Sequence, residues 1–288
     1  MLRRILRFAS IRRAGARVLQ ALMACVAVAI ASGAWAHDTW FERRASPLPQ
    51  RPVMALGTGD QFPVFDSRNE LHTLVRSGCQ ADAAALGPLV LAEPQAADLM
   101  VSTPHDLPRA TRVSCWAQLQ PFELELADEL VELYFREAMP PAAVRQAWAA
   151  QKARGQPWRE RYVKHARIEW FTDAQAAASP PQPSGMGMDA LMLQPQKAPR
   201  VGDELEFLVL KDGKPLPQFP VEFRLHTSRS GLWRRTDERG RVRLKAPSAG
   251  RWLLRGIEIT PPVPGPAEPL WQGLFITLAF DVSVPARP

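Results

Sequence analysis

Residues 34–41 read AWAHDTWF, and a cut after Ala36 leaves His37 as the first residue. A free amino-terminal histidine offers two nitrogen donors, its α-amine and an imidazole nitrogen. Together they close a small chelate ring on one divalent ion, and such donors suit copper, nickel and zinc. Asp38 adds a carboxylate beside them. A centre built there needs more ligands. His105 and His165 complete the candidate set of His37, Asp38, His105 and His165, with His72 as a further histidine in the same half. His226 falls on an expected strand in the other half and is a poorer candidate. Each histidine also has an ordinary reading. His105 precedes Asp106 in a proline-flanked loop, the setting of a solvated turn residue. His165 lies in YVKHAR and can hydrogen-bond at a helix end. His72 follows a charged stretch and belongs on the surface. Trp40 and Phe41 give HDTWF a structural alternative as a first strand anchored in the core.

The cut itself rests on residues 1–36. Arg3, Arg4, Arg7, Arg12, Arg13 and Arg17 make a basic start, Val18 to Ile30 is a short apolar run, and Ala34 and Ala36 flank Trp35 as small residues. That is the pattern of a cleaved signal peptide, so a periplasmic location is expected. The apolar run is short for a bilayer span. An uncleaved anchor is the alternative, and Leu22–Cys25 weakly resembles a lipoprotein box. Arg12-Arg13 leaves general and twin-arginine export both open. The whole chain has 36 basic and 29 acidic residues, but six of the basic ones precede His37 and no acid does. The remainder is therefore near neutral, which excludes the strong basic excess of a nucleic-acid binder. No later stretch is apolar enough for a membrane helix. Cys79 and Cys115 remain as an even pair in an exported chain and are expected to form a disulfide. A soft-metal site using both thiolates is the alternative, without CxxC or Cys/His spacing to support it.

No GxSxG, HExxH, P-loop or dinucleotide fingerprint occurs, so no enzyme is expected. Glu123, Glu125, Glu129 and Glu132 lie in a solvated acidic edge or helix rather than a catalytic pair. One oxidative reading survives, a copper brace made by His37 and a second histidine. Met186, Met188 and Met192 raise a thioether copper site, against which stands their ordinary use as core fillers.

These residues need elements to hold them. Val53 to Phe65 carries strand and turn signals, and Ile168 to Phe171 looks like a strand. Pro140-Pro141 followed by AAVRQAWAAQKARG predicts a helix with Val144, Ala147 and Trp148 on one face. Trp158 to Ala166 is read as a second short helix. The run AQAAASPPQPSGMGMD has no periodicity and predicts a linker. Beyond it, Glu204–Leu210, Val221–His226, Val242–Leu244, Trp252–Leu254 and Phe275–Val284 read as short strands separated by glycine turns, the pattern of an antiparallel sandwich. The expected organisation is a signal peptide (1–36), a β-rich domain with a helical insertion (37–173), a linker (174–199) and a β-sandwich domain (200–288).

The chain resembles exported bacterial proteins grouped as DUF4198, also labelled periplasmic components of cobalt or nickel uptake. The resemblance is carried by HDTWF, GTGDQFPVF, WRERYVKHARIE, LKDGKPLPQFPVEFRL, TDERGRVRLKAPSAGRWLLRGIEI and FITLAFDV. In the second half, GKPL, TDERG and WLL also resemble transthyretin-like and carboxypeptidase-regulatory modules. The resemblance implies a mainly β protein of two sandwich-like domains, the second transthyretin- or Ig-like, and a link to metal uptake. The leading expectation is a periplasmic binding protein for nickel, cobalt or copper, acting as a carrier or as accessory to a membrane transporter. A sandwich module binding a protein, peptide or glycan is the alternative, and a copper oxidase is a third.

Overall fold

The computed structural model describes residues 37–285, apart from 49, 94, 95, 97, 174, 175, 264, 266 and 267. The expected signal peptide and linker start therefore lie outside the described residues, as does Cys25.

The fold is mainly β and is organised by one long strand. β10 (Trp158–Phe171) alternates buried side chains to both faces, and its parity decides what each face becomes. On one side it pairs in parallel with β18 (Trp271–Val282). On the other it pairs first with β9 (Phe122–Leu126) and then with β8 (Arg112–Leu119). Outward from β18 follow β17 (Gly250–Thr260), β14 (Pro220–Leu225) and β15 (Leu232–Arg235). Outward from β8 follow β4 (Leu74–Ala81) and β5 (Ala84–Gly87), completing a nine-stranded sheet.

Even-numbered residues of β10 and odd-numbered ones of β18 face one way. There Ala166, Ile168 and Ala279 pack with Trp40, Phe41, Met54 and Leu56 from a five-stranded sheet. That sheet holds β1 (Asp38–Arg44), β2 (Val53–Gly59), β3 (Ser67–Arg68), β6 (Val90–Glu93) and β7 (Leu99–Ser102). Further along the same face, Trp158, Trp271, Phe275 and Ile257 are covered by two helices. α1 (Asp128–Ala138) buries Val131, Tyr134, Phe135 and Ala138, and α2 (Ala142–Lys152) buries Val144 and Trp148. These spacings place each set on one helical stripe. Trp158 stacks on Trp271 with ring centroids 4.1 Å apart.

The opposite face carries Ile276, Leu278 and Phe280. They pack against β11 (Met188–Gln194), β12 (Glu204–Lys211) and β16 (Arg241–Lys245) of a four-stranded sheet that β13 (Lys214–Pro215) completes. Asp212 and Gly213 both have positive φ in the β12–β13 turn, the geometry of a two-residue hairpin. Gly240 closes the TDERG turn with φ +68°, where a Cβ would meet the Leu216 nitrogen and the Val209 oxygen at 2.8 Å.

Three sequence expectations change. Trp158–Ala166 is not a helix but the first part of β10, because its alternate residues pair with β9 and β18 while they bury. Within the expected linker, Met188–Gln194 is a strand whose Met188 and Met192 are core residues, and Met186 is also buried. The two halves expected on either side of the linker share the nine-stranded sheet through nine β10–β18 pairs, and residues 37–285 form one unit. The helix expected after Pro141 is α2.

Cys79 and Cys115 are direct partners in the β4–β8 register and form a disulfide, with Cα atoms 4.0 Å apart. The bridge closes a separation of 36 residues. Replacing both cysteines with alanine is expected to lower unfolding free energy by about 2–4 kcal/mol. Urea denaturation of the oxidised protein and the double variant measures this; coincident midpoints would show that the bridge adds nothing to stability.

Candidate metal-binding site

Between the helix-covered cluster and the five-stranded sheet, one face of the nine-stranded sheet carries a band of buried polar residues. Glu222, Arg255 and Thr277 are successive partners across β14, β17 and β18, and Lys164 lies beside them on β10. The head of β1 is tied to this band. Asp38 Oδ2 pairs with Arg255 Nε, and Arg255 Nη1 donates to Glu222 Oε2 at 2.9 Å. Thr277 Oγ1 donates to the Thr39 carbonyl at 2.5 Å, and the Thr39 and Thr58 hydroxyls are 2.6 Å apart. Trp40 and Phe41 are then buried in the core. HDTWF is thus a structural first strand whose leading residue is held at a fixed place.

That residue is His37, partly exposed, with Nδ1 3.9 Å from Asp66 Oδ2. The Asp66 carboxylate is itself oriented, because Oδ2 accepts the Asp60 N–H at 2.6 Å. Nδ1 is the ring nitrogen that closes a six-membered chelate with an α-amine on the same residue. Asp38 Oδ1 is buried without a hydrogen-bond partner among the described residues, on the side chain that pairs with Arg255. Buried polar atoms are normally paired, and an orphan of this kind fits a cation or water. The His37 imidazole and the Asp66 carboxylate are one nitrogen and one oxygen donor, types that a divalent transition ion takes.

The other expected ligands do not join it. His165 follows Lys164 on β10 and so points to the opposite face. There Nδ1 lies 2.8 Å from the Phe275 carbonyl and Nε2 is buried without a partner beside Gly187. Burial lowers its pKa to about 4, against the opposing hydrogen bond to Phe275. It is a strand residue, not a helix end. His105 is exposed in a loop, its carbonyl accepting the Thr103 hydroxyl at 2.7 Å. His72 is exposed in a single 3-10 turn. His226 Nδ1 accepts the Arg251 N–H at 3.2 Å. Among the described residues no group of three or more His, Cys, Asp or Glu stands ready for a metal ion.

Sequence reasoning missed Asp66, Arg255, Glu222, Lys164 and Glu160. A signal existed for Arg255, a single charge inside the apolar run WLLRGI, which marks a buried, paired residue. Asp60 and Asp66 bracket a Pro-containing turn, the only local hint for the second carboxylate. Lys164 shows no ion pair within 4.0 Å among the described residues; its Nζ lies 5.4 Å from the Tyr162 ring. Burial lowers its pKa to about 8, with Asp38 pulling the other way.

Glu160 anchors the helix side of the band. Its oxygens accept Tyr134 Oη at 2.9 Å and Trp158 Nε1 at 3.0 Å. Burial pushes its pKa up to about 7, although both hydrogen bonds act to lower it. The folded state therefore binds a proton there that the unfolded state has released. This contribution to stability is present at low pH and is lost as pH rises from about 4.5 to about 7. Glu160→Gln, which keeps the shape, is expected to lose less stability across that window than the parent. Melting temperatures recorded through the window test it, and parallel curves would remove Glu160 from the account.

The family described as a domain of unknown function (DUF4198) matches residues 34–257. No curated protein and no solved structure matches the chain.

Proposed function

The chain belongs to the DUF4198 family, and from that premise we propose that it is a periplasmic binding protein for a divalent transition metal, copper, nickel or cobalt, and not an enzyme. It acts as a carrier or as accessory to a membrane transporter. The observation that carries the reading is the placement of His37 at the head of β1 with Nδ1 3.9 Å from an oriented Asp66 carboxylate. Cleavage after Ala36 creates the α-amine that completes the chelate. His37 then supplies two nitrogens and Asp66 an oxygen. His105 and His165 have no part in this centre. Burial of Trp40 and Phe41 supports the reading because it fixes the chain direction at His37 and lowers the entropy lost on ligation.

Intact mass of the exported protein defines its first residue, and titration of that material with Cu(II), Ni(II) and Co(II) tests binding. A mass beginning at His37 with saturable one-to-one binding is expected. A lipid on Cys25 or a retained Ala36 would remove the chelate and with it the proposal.

A further inference from the structure

A different region points to a partner. β15 ends the nine-stranded sheet and, among the described residues, pairs only with β14, so one backbone edge of Leu232–Arg235 is unpaired there. Arg229, Arg234 and Arg235 are exposed, and none has a carboxylate within 4.0 Å among the described residues. Among the described residues Arg234 Nη1 bonds only its neighbour's carbonyl, Trp233 O, at 2.8 Å. Arg235 Nη1 bonds the Gln218 carbonyl at 2.9 Å. Elsewhere on the same half, Arg241 and Arg243 are neutralised by Glu206. Strand alternation puts Trp233 and Arg235 on one face and Leu232 and Arg234 on the other.

We propose that β15 is a docking edge for an extended, acid-rich segment of a partner protein, which adds as an outer antiparallel strand. An edge bearing arginines repels a second copy of itself, which is how like charge protects exposed edges. The same edge attracts a strand whose alternate side chains are carboxylates, because each face of the added strand then meets a guanidinium. Backbone pairing supplies affinity and the arginines supply selection. A flat anionic membrane would engage one face of the strand, whereas the cations here project to both. The inference is independent of the metal reading.

The test uses the protein from His37 to its end and a blocked Glu-Thr repeat peptide, with a Lys-Thr repeat as control. Binding of the acidic peptide is expected, with slowed hydrogen exchange at Leu232–Arg235. Arg234→Glu with Arg235→Glu is expected to weaken it at least about tenfold, and added salt should weaken it in the parent. These side chains are exposed, so an unchanged melting temperature certifies that the variant is folded. The proposal is overturned by equal binding of both peptides, by no binding, or by protection elsewhere than β15. It is likewise overturned if vesicles containing phosphatidylglycerol bind through these arginines while the peptide does not, which would make the edge a lipid-facing patch.

Discussion

Arg255→Met is expected to destabilise the protein by about 3–5 kcal/mol. The guanidinium is 2% exposed and is shared between Asp38 and Glu222, which are 4% and 5% exposed. Burial alone would lower its pKa, yet the two carboxylates outweigh burial and hold it above the ordinary value. Removing the cation leaves two buried carboxylates, of which only Glu222 keeps a second partner, Arg224 at 2.9 Å. Methionine fills similar volume, so the loss reads charge rather than a cavity. The same substitution in an Asp38→Asn, Glu222→Gln background is expected to cost much less, since no uncompensated charge remains. Urea midpoints of the four proteins give the coupling directly. A loss below about 1 kcal/mol in the parent background would mean that the network is solvated and does not hold the head of β1.

His37→Ala is expected to weaken Cu(II) or Ni(II) binding at least about tenfold, by removing the imidazole from the chelate. Asp66→Asn should weaken it less, because a single carboxylate is lost while both nitrogens of His37 remain. Acid should weaken binding by the parent, since protons compete for the nitrogen donors. Neither substitution touches the Arg255 network, so folding stability should stay near that of the parent. Equal affinity of His37→Ala and the parent in calorimetry would place the bound ion elsewhere.

Local chemistry carried much of this fold in readable form. The Asp212-Gly213 and TDERG turns, the alternation of Val221–Leu225 and the Pro141-started helix follow from propensities of a few residues, and the structure has them. The disulfide was legible from an even count of cysteines in a chain expected to be exported. What escaped depends on long-range pairing. Trp158–Ala166 has mixed polar and apolar residues because it buries Glu160, held by Tyr134 of α1, and Lys164 within a strand whose pairing partners β9 and β18 lie far away in sequence, so its period resembled a surface helix. Met188–Gln194 lies behind a proline-rich stretch and becomes a strand only because β12 offers it an antiparallel partner. The same distinction governs the site. His37 and Asp38 were visible as candidate donors, while Asp66 comes near His37 only through the turn that brings it back to β2. His165 was a reasonable ligand by residue type. One residue of strand parity separates it from the face that holds Asp38.

The central claim is that the chelate depends on a free α-amine at His37. The most direct measurement is calorimetric titration of Cu(II) into protein beginning at His37 and into the same protein with one alanine placed before it. The added residue turns the amine into an amide and leaves every side chain in place. The account predicts at least about tenfold weaker binding by the extended protein, or about 1.4 kcal/mol. Equal affinity would contradict it, leaving HDTWF as a structural strand and an interaction module as the better description of the protein.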